Sequence, residues 1–109
     1  MEKYTELSVI NIYDQIKDER FDTISELGDM LKKLAAKEMD SMETRWKVAK
    51  EIDFDHLDLR NNSLDEHANM HSLVYSLGID HLITKTIEYI NLNKGMHLDS
   101  FIKKDRRAV

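Results

Sequence analysis

Apolar residues recur along this chain at spacings of three and four, the period of a helix that buries one face. In the first segment Leu7, Ile10, Tyr13 and Ile16 keep that spacing, with Val9 and Ile12 beside them, and predict a helix over about Thr5 to Arg20. A turn is expected at Phe21-Asp22. Thr23-Ile24-Ser25-Glu26 then has capping-box spacing, in which the Thr23 hydroxyl accepts from the backbone at Glu26 and the Glu26 carboxylate reaches back. The stripe that follows is Ile24, Leu27, Leu31, Leu34, Ala35, Met39, Met42, Trp46, Ala49 and Ile52, and it predicts one amphipathic helix as far as about Glu51. At 1.5 Å per residue that helix would be roughly 40 Å long, so it must bend near Asp40-Ser41, protrude, or pack against another chain.

Asp53 to Asn62 reads as a polar loop, and Ser63-Leu64-Asp65-Glu66 repeats the capping-box spacing. A third helix presents Leu64, His67, Met70, Val74 and Leu77, and Gly78 is expected in the left-handed position just past its end. Asp80 is the expected N-cap of a fourth helix that buries Ile83, Ile87 and Ile90 and stops at Asn93-Lys94-Gly95. Met96 to Lys104 adds one short helix. No strand alternation persists, so the fold class is all-α: four main helices, one of them long.

Composition agrees with one small domain. The 109 residues are 41% hydrophobic and 34% charged, too apolar for a disordered tail and too charged for a membrane protein. Without proline, long helices can run uninterrupted, and without cysteine, disulfides and thiolate chemistry are excluded. No apolar run approaches the roughly 20 residues that span a bilayer. Met1-Glu2-Lys3-Tyr4 does not begin a secretory signal, so a cytoplasmic protein is expected. The net charge of -5 is unevenly placed: residues 1–102, the expected domain, are acidic, and the tail 103–109 is basic. An acidic body offers no electrostatic footprint for nucleic acid, and the tail reads as a frayed terminus.

Two kinds of chemistry can be placed on these helices. His67 and His71 are four apart and share a helix face, where they could hold one metal ion together with Asp65 or Glu66. A magnesium site needs several oxygen ligands, and acid pairs three apart on a helix supply them on one side. Asp40 and Glu43 form such a pair, and Glu66 with Asn69 forms a carboxylate–amide pair. Set against both, helix-borne acids commonly form a solvated face.

The stretches Leu34 to Glu43, Asp65-Glu66-His67-Ala68-Asn69, Leu77-Gly78-Ile79-Asp80 and Glu88-Tyr89-Ile90-Asn91 together resemble the helical core of MazG-like nucleoside triphosphate pyrophosphohydrolases. The resemblance covers about residues 24–94. It implies an all-α fold in which Asp40, Glu43 and Glu66 hold magnesium against a triphosphate, with Asn69 standing where that family has aspartate. It implies catalysis, or a relative that binds nucleotide without turnover.

The residues themselves point first to another class, a small acidic non-enzymatic protein that binds and modulates a larger protein partner. The long stripe carries Met39, Met42 and Trp46, with Met30 nearby, and methionine and tryptophan are the side chains that adapt to and anchor partner surfaces. The same stripe offers more apolar length than a small monomer can cover, so a homo-oligomer with Met42 and Trp46 near the contact is expected.

Overall fold

The structure, a computed structural model, describes residues 5–52 and 64–103, with side chains of the last helix described from Val74 onward. Among the described residues four α-helices follow one another: α1 (Glu6–Ile16), α2 (Ile24–Met39), α3 (Met42–Glu51) and α4 (Leu64–Asn93). A 3-10 turn, Leu98–Phe101, closes the described chain. Among the described residues there is no strand, only an isolated parallel bridge between Phe21 and Ile102. The all-α expectation holds.

The helix ends follow local chemistry. The Thr23 hydroxyl accepts from the Glu26 backbone N–H at 3.1 Å, and the Glu26 carboxylate reaches back to the Asp22 N–H at 3.0 Å, one residue before the N-cap position of a regular capping box. The expected long helix breaks at Asp40-Ser41, where Ser41 starts α3 by accepting from Thr44 N–H. Arg45 holds the corner, donating from Nε to the Met39 carbonyl at 2.6 Å and from its terminal nitrogen to the Asp40 carbonyl at 3.4 Å. A cation thereby meets the C-terminal carbonyls of α2, where the helix dipole favours one. Because the helix folds back at this corner, its length no longer calls for a second chain.

α4 is the spine, packing against α1, α2, α3 and the 3-10 turn. At about 1.5 Å per residue its 30 residues run about 45 Å. The expected third and fourth helices are therefore one. Gly78 does not end a helix; it sits buried in the middle of α4, and the positive backbone φ belongs to Gly95. An added Cβ at Gly78 would overlap the Met39 side chain and lie 3.1 Å from Val48 Cγ1, so the missing side chain is what lets α2 and α3 approach. Gly95, at φ 61°, makes the expected stop, and the Met96 N–H folds back to the Ile90 carbonyl.

The core gathers Ile12, Ile16, Leu27, Leu31, Leu34, Ala35, Met39, Val48, Leu82, Ile90 and Phe101. Two registers differ from expectation. In α1 the inward stripe is Thr5, Ser8, Val9, Ile12 and Ile16, so Leu7 is exposed and Ile10 half-buried. In α4 it is Ile79, Leu82, Thr86 and Ile90, with Ile83 and Ile87 only partly buried beside it. Thr86 is fully buried and satisfied, donating to the Leu82 carbonyl at 2.7 Å. Ile24 faces solvent, because the chain enters α2 from an exposed cap. The expected C-terminal helix is reduced to the 3-10 turn. Beyond it the chain pairs with the α1–α2 linker: Phe21 N–H donates to the Phe101 carbonyl and Lys103 N–H to the Phe21 carbonyl, both at 2.7 Å. Phe101, beneath the Arg20 guanidinium, fills the end of the core.

The two described helical glycines predict opposite outcomes. Gly28 has open space around it, so Gly28→Ala should raise stability by up to about 1 kcal/mol through helix propensity. Gly78→Ala gains the same propensity and must displace the fully buried Met39, so it should lower stability by about 1–3 kcal/mol. Thermal or urea unfolding of the pair checks both signs.

Candidate functional site

Helix α3 lies along α4 in a regular register. The Arg45 guanidinium sits over the Tyr75 ring at 5.8 Å, Val48 packs at Gly78, and Glu51 meets His81. Each step of three on one helix matches a step of three on the other, so the two helices run parallel with Val48 inward. The opposite face of α3 carries Met42, Glu43, Trp46 and Lys50.

That face is open. Met42 is 66% exposed and Trp46, the only tryptophan in the chain, is 60% exposed. The Lys50 ammonium lies 4.8 Å from the Trp46 ring centroid, covering one side of the indole. Glu43 pairs with Lys47 at 3.1 Å, and its carboxylate is otherwise exposed. Met39 does not belong to this surface: it is fully buried between α2, Val48 and Gly78, so its expected role in partner contact is replaced by a core role. The break after Met39 turns the stripe, sending Met39 inward and Met42 and Trp46 outward.

At the inner edge of α3 is a polar cluster that spans three elements. Glu51 Oε2 accepts from the Thr5 hydroxyl at 2.8 Å and from the Thr5 backbone N–H at 3.1 Å. Glu51 Oε1 lies 2.8 Å from His81 Nε2. An ionised carboxylate only accepts, so Nε2 carries the hydrogen. Both side chains are largely buried. Burial alone would raise the Glu51 pKa; hydrogen bonds from His81 and Thr5, with the His81 charge, overcome it and hold the carboxyl below its ordinary value near 4.5. The cluster joins the start of α1, the end of α3 and the middle of α4. Sequence spacing gave no sign of it, since its members lie 46 and 30 residues apart.

Asp40 lies in the exposed corner and Glu43 in the first turn of α3, so the two are not a pair on one helix. Glu66, Asn69, His67 and His71 fall within the backbone of α4, but their side chains lie outside the described residues, as does Asp65. Among the described residues no three His, Asp or Glu side chains come together as metal ligands. A shallow cleft between α1 and α4, walled by Val9, Tyr89 and Leu92, has at its mouth Lys85 and Glu88, which pair with each other at 3.3 Å. Among the described residues no helix is long and apolar enough to cross a membrane.

The chain matches no family model, no curated protein and no solved structure.

The Glu51 cluster sets an acid dependence. A carboxyl whose folded pKa lies below its unfolded value stabilises the fold above the unfolded pKa and loses that contribution as pH falls through the folded value. Glu51→Gln should therefore cost about 1–3 kcal/mol at pH 7, where Thr5 and His81 lose a charged partner. It should also flatten the loss of stability below about pH 4.5 seen in the parent. Urea unfolding across pH 3–7 compares the two; an unchanged acid slope counts against the cluster.

Proposed function

We propose that this chain is a small, acidic, non-enzymatic interaction protein that binds and modulates a larger protein partner through the outer face of α3. The observation that carries this reading is the exposure of Met42 and Trp46 on a helix whose inner face is already satisfied by Val48 and Glu51. A large indole in solvent contributes nothing to a core, and buried at an interface it is the side chain most enriched among energetic anchors. The surrounding Lys47, Lys50 and Glu43 form a charged rim around an apolar centre, the usual anatomy of a protein contact. Self-association belongs to the same reading, as does a cytoplasmic setting.

Trp46→Ala should leave the unfolding free energy within about 0.5 kcal/mol of the parent, as for an exposed position. It should weaken partner association by about 2 kcal/mol or more. Partners captured by a photo-crosslinker at Met42, in extracts of the source cells, should be lost with Trp46→Ala. A large loss of stability would return Trp46 to the core and remove the reading's support. Purified protein given nucleoside triphosphates and magnesium should release no pyrophosphate; release abolished by Glu66→Gln would favour the hydrolase instead.

A further inference from the structure

The outer face of α3 is self-complementary. Its charges are ordered, with Glu43 near the N-terminal end, Lys50 near the C-terminal end and the Trp46 indole between them. The midpoint of positions 43 and 50 falls beside Trp46. A two-fold axis through Trp46, perpendicular to α3, therefore brings a second α3 antiparallel to the first. In that arrangement each Glu43 lies level with the Lys50 of the other copy, and the two indoles meet at the axis. One self-matching patch on both copies is what a two-fold dimer requires.

We propose that the chain forms a two-fold homodimer through antiparallel α3–α3 contact, centred on Trp46 and registered by reciprocal Glu43–Lys50 ion pairs. The occupant argued for is a second copy because the charge pattern closes on itself. Lys50, which in the single copy rests on its own Trp46, and Glu43, which pairs with its own Lys47, both exchange a local contact for one across the axis. Antiparallel alignment also sets opposite helix-dipole ends side by side. The contact of two ten-residue helices lies below the about 1,200–2,000 Å2 of standard stable interfaces, so the dimer exchanges and forms in the micromolar range or weaker. Each copy carries net charge -5, so repulsion between the bodies opposes association at low salt and is screened at about 0.1 M.

The inference rests on the proposed contact role of this face and specifies the geometry of the self-association that belongs to that reading. Sedimentation equilibrium gives the mass as a function of concentration, and Trp46, as the sole tryptophan, gives a fluorescence shift on burial in the same samples. The expected result is conversion from monomer to dimer with a blue shift of the emission. Trp46→Ala should stay monomeric while keeping the parent's circular dichroism. Glu43→Lys and Lys50→Glu should each weaken the dimer severalfold, and the double variant Glu43→Lys/Lys50→Glu should restore it, since the swap reinstates both pairs. A monomer at every concentration up to about 1 mM would overturn the proposal. So would a dimer that ignores Trp46→Ala, or charge variants whose effects simply add. If the chain stays monomeric while partner capture still depends on Trp46, the dimer falls and the interaction role stands.

Discussion

Met39 and Val48 lie against the bare backbone of Gly78, and the path of α3 follows from that contact. Met39 is the last residue of α2, so seating it in the notch fixes where α2 ends. Arg45 then ties the start of α3 to the carbonyls of Met39 and Asp40, and Val48 returns to the same notch one turn later. A side chain at position 78 would displace the end of the Met39 side chain and press on Val48, which stands between the Arg45–Tyr75 and Glu51–His81 steps of the same register. Because interiors pack as densely as organic crystals, the notch cannot be widened locally without moving these neighbours.

The register explains why a charged cluster is tolerated inside. Glu51 is the last residue of α3, the end at which the helix dipole disfavours an acid. His81 and Thr5 supply the donors that offset this, and Thr5 does so with both hydroxyl and backbone N–H, anchoring α1 in the act. α1 then runs along α4 to where Tyr13 meets Tyr89 edge-on at 5.5 Å, with Lys94 against both rings. The inward stripe of α1 is the one that begins at Thr5, which is why Leu7 is left outside.

Features encoded within a few residues were legible in the sequence. The helical period, the Thr23–Glu26 box and the Asn93-Lys94-Gly95 stop each depend on neighbours in the chain, and each appears where its residues stand. The corner at Asp40-Ser41 could be anticipated as a bend because an unbroken helix was too long. Gly78 was misread because its local signal, a glycine before Ile-Asp, is the same for a helix stop and for a close helix crossing; only Met39 and Val48 distinguish them. Glu51, His81 and Arg45 were not legible as partners, since their pairings depend on how α3 is laid on α4. The apolar stripe was read as one face, and the corner divides it, which separates Met39 from Met42 and Trp46.

The same corner determines what is left over. A ten-residue helix has one face to give, and α3 gives it to α4 through Val48, Ile52 and Glu51. With α4 on one side, Met42 and Trp46 cannot reach any described helix without unseating Val48. The apolar surface on the outside of α3 is thus a consequence of the notch at Gly78 and of the Glu51 cluster, which between them fix the rotation of the helix. Lys50 reduces the exposure of the indole by lying over it, an arrangement that shields one side of the ring in water. The constraint that completes the core is therefore also the one that turns the Trp46 indole outward, with charges ordered along the helix beside it.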